Sequence, residues 1–153
     1  MIFKVGDQIQ LEEGYTATCQ KINKKGDAIF LMDQLLDESM PMNGSTYETS
    51  ELRKRINSEE ILKIFGAYRE KLVPFKNGDL VRIPSEKEIF QKWELMKGSS
   101  ENRRCYTKEG YHRWYWLRDV VSAAHFANVY GGSDASNAWR VRLSFKLRGE
   151  FES

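Results

Sequence analysis

Trp139-Arg140-Val141-Arg142-Leu143-Ser144-Phe145-Lys146-Leu147 is the stretch whose reading decides the fold. Every odd position is apolar and every even one is polar or charged. Period-two alternation over nine residues predicts a β-strand with one face in a core and the other in water. A helix with this order would scatter its apolar side chains to all sides. Val141, Leu143 and Phe145 are therefore expected inside, with Arg140, Arg142 and Ser144 on the opposite side. Upstream, Trp114-Tyr115-Trp116-Leu117-Arg118 reads as a second, aromatic-rich strand. Between them residues 131–137, with two glycines, read as the tip of a hairpin whose arms are 126–130 and 139–147.

Working outward, the first third reads as antiparallel β. Residues 7–11 are a short strand, and 15–23 and 28–32 are two arms around the polar turn Lys24-Lys25-Gly26-Asp27. Ala28-Ile29-Phe30-Leu31-Met32 is apolar on both faces, which predicts a central strand covered on both sides. Residues 33–47 read as an irregular connection. Ser50 is placed to cap a helix that buries Leu52 and Ile56. Ser58 is placed to cap a second helix through Ile61, Phe65, Tyr68 and Leu72, with Gly66 as its weak point. Leu80-Val81-Arg82-Ile83 reads as a strand, and Ser85-Glu86-Lys87-Glu88 as a capping box opening a short helix. Residues 98–104 read as a mobile polar loop. Strands bracket the helices rather than alternate with them, so the fold class is α+β with a mainly antiparallel sheet, two or three helices and long loops.

A chain of 153 residues is read as one domain, residues 1–153, large enough for a real core. Charged residues make up 30% of it, yet the formal net charge is only +2, which argues against nucleic acid as the main partner. The N-terminus has no apolar core of a secretory signal, and no stretch is long and apolar enough to span a membrane. A soluble protein is expected, in the cytoplasm of a bacterial host or in a virion. Cys19 and Cys105 have no metal-like spacing. They are read as thiols in a reducing compartment, with one disulfide between them as the alternative.

Several stretches, taken in order, carry a resemblance. They are Asp27 with the apolar strand and leucines after it, Thr49-Ser50-Glu51-Leu52-Arg53-Lys54-Arg55-Ile56-Asn57, Arg82-Ile83-Pro84-Ser85, Tyr115-Trp116-Leu117-Arg118 and Arg140-Val141-Arg142 with Phe145. Together they resemble a bacterial and phage family of unknown function, whose members show a Trp-Trp-Leu-Arg-Ser strand and a closing Val-Arg-Pro-Ala-Phe strand. The likeness covers most of 15–147. Asp119 stands where Ser is usual, and Leu143-Ser144 where Pro-Ala is usual. That family is similar to the C-type-lectin-like group, which includes the sulfatase-modifying (formylglycine-generating) enzymes and phage receptor-binding proteins. The resemblance implies a C-type-lectin-like domain whose irregular loops present a binding surface. It implies no catalytic residue.

The residues themselves offer few sites. His112, Trp114, Trp116 and Arg118 on one strand face read either as a stacking platform for a base or sugar or as a layer of core rings, and core is favoured. A phosphate-cradling loop should open a helix, and 131–137 does not. Asp134 and Asn137 lack the other oxygens of a calcium site. His112, His125, Cys19 and Cys105 stand at no metal spacing, and a Cys105–His112 nucleophile pair has nothing to fix its geometry. No cofactor or metal is expected, and enzyme activity is disfavoured. The expected function is a phage- or prophage-type binding module for a protein or glycan, one version being an inhibitor of a host defence system. Arg118, Asp119, Asp134, Asn137, Arg140 and Arg142 are expected to form one partner-facing patch. The alternative is a small-molecule enzyme or nucleotide-handling protein using the C-terminal arginine row.

Overall fold

A computed structural model describes residues 2–122, 125–128, 131–134 and 138–149, and among these the side chains outside 120–138. The chain is α+β. Its main sheet has five antiparallel strands in the order β1 (Gln8–Gln10), β2 (Thr16–Ile22), β3 (Ala28–Met32), β10 (Ser144–Leu147) and β5 (Val81–Arg82). β4 (Met40–Pro41) pairs with β9 (Ala138–Trp139). β6 (Trp116–Ser122), β7 (His125–Asn128) and β8 (Gly131–Asp134) form a three-stranded meander. No helix among the described residues is long and apolar enough to cross a membrane.

The β2–β3 hairpin turns where predicted. Asn23 Oδ1 accepts from the amides of Lys25 at 3.0 Å and Asp27 at 2.9 Å, and Gly26 takes a φ of 86°. β3 is covered on both faces. Ala28, Phe30 and Met32 enter one core with Val141, Leu143, Phe145 and Leu147. Leu31 enters a second with Trp93, Cys105, Tyr115 and Leu117. The aromatic strand divides in the same way, since Trp116 belongs to the first core and its two neighbours to the second.

The alternation of 139–147 is observed, with two corrections. Only Ser144–Leu147 belongs to the sheet proper. β3 ends at Met32, so Val141 and Leu143 continue as extended chain whose carbonyls accept from Leu36 and Met32, each at 2.9 Å. The middle of the even face does not meet water, although Arg140 and Lys146 stay partly exposed. Arg142 is 3% exposed and Ser144 fully buried, because the Trp93–Tyr115 layer covers that side. Residues 131–134 are strand β8, paired with β7, rather than a hairpin tip. β10 pairs instead with β3 and β5.

The helices are shorter than their patterns predict. α1 (Glu51–Ile56) is capped by Ser50, whose Oγ accepts from the Arg53 amide at 3.1 Å. Ser58 precedes α2 (Glu59–Leu62) but its hydroxyl donates to Arg55 O instead of capping. The chain then tightens into a 3-10 segment, Lys63–Lys71, broken at Gly66 with φ 52° and ψ −124°. Only glycine adopts that conformation readily. The capping box forms reciprocally: Ser85 Oγ accepts from the Glu88 amide at 3.2 Å, and Glu88 Oε1 from the Ser85 amide at 2.8 Å. A π-helical turn, Glu88–Lys92, and α3 (Glu94–Lys97) follow. The stretch predicted as a mobile loop contains α4 (Ser100–Arg103), capped by Ser99.

Phe145 lies in the middle of this arrangement. Its ring stacks on Phe30 at 5.5 Å and meets Phe65 edge-on at 4.7 Å. Phe145→Ala is expected to destabilise by about 3–5 kcal/mol. Denaturant unfolding that shows a loss below about 1 kcal/mol would contradict this placement.

Candidate functional site

A small hairpin and the end of β9 build a concave surface that carries partly exposed rings. Thr107 and Tyr111 close a turn, the Thr107 amide donating to Tyr111 O at 2.8 Å, with Gly110 at φ 93°. Tyr106 and His112 pair across it, their rings 6.0 Å apart. Beyond the hairpin, the Arg140 amide donates to Trp114 O and the Trp116 amide to Arg140 O, both at 3.2 Å. This parallel bridge sets Trp139 beside Trp114. Their ring centroids are 4.8 Å apart and tilted by 37°. Below them Trp116 is anchored in the core, Nε1 donating to Met40 O at 2.7 Å.

The result is a cleft of about 580 Å³ lined by Ser39, His112, Arg113, Trp114, Trp139 and Arg140. Trp114 is 38% exposed. Arg113 Nη1 donates to His112 O at 2.8 Å, and Arg140 Nη1 donates to the carbonyls of Leu36 and Asp37. These arginines are therefore held in position by neutral acceptors while keeping their charge, so the cleft joins flat apolar faces to a cationic rim. Such a surface can stack a planar or pyranose face and hydrogen-bond its polar edge.

The six predicted site residues do not form one patch. Arg140 lies at the cleft. Arg118 Nη1 donates to Ile83 O and pairs with Glu88 at 3.0 Å, while Asp119 Oδ2 accepts from the Glu86 amide at 2.6 Å. These two fasten the capped turn to β6. Arg142 is inside the protein, bonded to Met32 O at 2.7 Å, Asn102 O at 3.3 Å and Tyr115 Oη at 3.2 Å. The expectation that it joins an outward, partner-facing patch is corrected: Arg142 is covered by Tyr115 and α4 and borders only a small cavity, so it offers no surface to a protein partner. Asp134 is on β8, its side chain outside the described residues, and Asn137 lies wholly outside them. The sequence reading passed over Trp139 and Ser39 and assigned Trp114 to the core. The one available signal was the run His112-Arg113 before Trp114, too polar for a buried strand.

Cys105 and His112, disfavoured as a nucleophile pair, are divided too. Cys105 is fully buried, its thiol directed at Asp33 O at 3.4 Å, and burial pushes its pKa up. His112 is on the exposed side of the hairpin. Cys19 is also free and buried, and its burial raises the thiol from about 9 to about 11. Among the described residues no three His, Cys, Asp or Glu side chains are grouped to hold a metal.

The chain matches no family model, no curated protein and no solved structure.

Two predictions follow from the buried groups. Arg142→Glu turns a carboxylate toward three acceptors and is expected to lower the denaturation midpoint sharply. Arg148→Glu, at an exposed position, should change stability by no more than about 0.5 kcal/mol. Equal midpoints for the two variants would put Arg142 at the surface. The second concerns alkaline pH. A thiol held protonated in the fold favours the folded state below its unfolded pKa, and that advantage is lost as pH rises toward the folded value. Stability should therefore fall between about pH 9 and 11, and less steeply in Cys19→Ala. Identical slopes in the two proteins would contradict the burial of this thiol.

Proposed function

We propose that this chain is a non-catalytic binding module of C-type-lectin-like form, of the phage or prophage kind, that recognises a glycan through the Trp114–Trp139 cleft. The observation that carries this reading is the pair of tryptophan rings 4.8 Å apart in an open cleft with arginines on its rim. A large ring left 38% exposed forgoes burial that a core position would give it. Sugar rings present apolar C–H faces to tryptophan and hydroxyls or carboxylates to Arg113, Arg140 and His112. The cleft volume falls within the range of about 300–1,000 Å³ usual for ligand sites. The antiparallel sheet with short helices and irregular connections supports the lectin-like form, as does the ordered set of motifs.

Tyr111, 60% exposed beside the cleft, favours a second reading: a protein partner, including a component of a host defence system. Aromatic and arginine side chains dominate protein interfaces as well. The Arg140–Arg142 row, the basis for an enzymatic or nucleotide-handling alternative, is divided between the cleft rim and the interior, which favours binding over that alternative.

Glycan-array screening followed by calorimetric titration tests the proposal. Trp114→Ala is expected to weaken the selected glycan at least tenfold, about 1.4 kcal/mol, with an unchanged denaturation midpoint. Undiminished affinity in the folded variant would move the site elsewhere. A chain that binds no glycan but captures a bacterial protein in a Trp114-dependent manner would favour the second reading.

A further inference from the structure

A second cavity, of about 300 Å³, opens on the other side of the hairpin, between β2, the end of β3 and α4. It shares no lining residue with the tryptophan cleft. Three features of its floor are unusual together.

The first is Arg142. Its guanidinium cannot lose its charge, it is 3% exposed, and all three of its acceptors are neutral. No described carboxylate forms a salt bridge with it; the charge of Asp33 acts on it only through space, and the Tyr115 ring lies 5.4 Å from the guanidinium. A permanent charge in the interior is expensive without a counter-charge.

The second is Asp33. Its carboxylate accepts from Thr18 Oγ1 at 2.7 Å, Thr16 Oγ1 at 2.7 Å and Gln8 Nε2 at 2.9 Å, all neutral donors. These donors orient it. Arg142 and Asp33 thus line one cavity, with Arg104 and Glu101 also in its lining, without forming a salt bridge with each other.

The third is Gln20. It is the extra residue of a β-bulge where β2 slips against β3, between Cys19 and Lys21. Bulges re-aim side chains and are frequent beside functional sites. Gln20 lines the cavity, is 3% exposed, and its Oε1 has no hydrogen-bond partner while Nε2 donates to Thr18 O at 3.1 Å. A buried acceptor left unmade costs about 1–3 kcal/mol.

We infer that this cavity binds a small zwitterion, a free α-amino acid or a molecule with the same adjacent carboxylate and ammonium groups. The carboxylate pairs directly with Arg142, which forms no salt bridge with a described residue. The ammonium, with three N–H donors, faces Asp33 and supplies the donor that Gln20 lacks. Leu95 and Met96 form an apolar wall for the side chain. A volume at the lower end of the ligand-site range suits one amino acid and is too small for a nucleotide or a folded peptide segment. Inorganic phosphate fits poorly, because Asp33 and Glu101 line the same space and would repel it.

The test uses the full chain. Each of the common L-amino acids at millimolar concentration is screened by the shift in melting temperature, and positives are titrated calorimetrically. Matched decarboxylated amines, deaminated acids and inorganic phosphate serve as controls. The expected result is saturable 1:1 binding of at least one amino acid, with its amine and acid controls at least tenfold weaker. Asp33→Asn should weaken binding at least tenfold. Because Asp33 also ties β2 to the end of β3, Leu95→Trp is the companion variant. It fills the cavity from a half-buried wall and should abolish binding in a folded protein. The inference is overturned if no amino acid binds the folded chain. It is overturned equally if phosphate or a simple carboxylate binds as tightly as any amino acid, or if binding survives in folded Leu95→Trp.

Discussion

The stacking of Phe145 on Phe30 joins the two strands on which both halves of the interior depend. β10 lies between β3 and β5, in register with both, and neither of its edges is left open along that length. Past β5, the Val73 amide continues the ladder to Lys146 O at 2.8 Å. The outer side of β5 is closed by a side chain rather than a strand. Asn57 donates to Val81 O at 2.9 Å and accepts from the amides of Leu80 and Val81. An edge satisfied by an asparagine does not offer itself to another chain.

Covering both faces of this sheet has an electrostatic consequence. Polar side chains on the second face have to find partners inside. Ser144 donates to Phe30 O at 2.9 Å, and Arg142 takes two carbonyls and a phenol. A related economy operates at the capped turn, where the single carboxylate of Glu88 serves the Ser85 amide, Arg82 at 3.2 Å and Arg118 at 3.0 Å. Two guanidiniums on one carboxylate leave a net positive charge in a half-buried place, with burial first among the effects that lower the Arg82 pKa. The ring of Phe75, 3.9 Å from the Arg82 guanidinium, offsets part of that through its negative face.

Much of this was legible from local pattern. The β2–β3 hairpin, the two-sided apolarity of β3, the Ser50 cap, the Ser85–Glu88 box and the break at Gly66 each express a short-range rule of backbone chemistry. What escaped the sequence was set at long range. Alternation along 139–147 gave the sides correctly but could not tell water from a second core, because the covering layer comes from Trp93, Tyr115 and Leu117, distant in the chain. Gly131-Gly132-Ser133-Asp134 has turn composition, and only pairing with β7 makes it a strand. Trp114 and Trp116 are alike in sequence context, yet one is anchored on Met40 O and the other left at the surface. That difference depends on where β4 and β9 meet. The candidate site was accordingly half visible: Arg140 was found, while Trp114 was assigned to the core and Trp139 was passed over.

The placement of β10 also bears on how the chain reaches its native state. The hydroxyl of Ser144 meets the carbonyl of Phe30 across 114 residues of chain. Until those residues have been synthesised, β1, β2 and β3 are a nascent three-stranded ribbon with Phe30 and Leu31 uncovered and the β3 edge unpaired. Closure of so long a loop slows folding, since its entropy is lost before the contacts that compensate it are made. During translation the ribbon is thus exposed to off-pathway pairing for as long as the ribosome needs to deliver the strand that completes it.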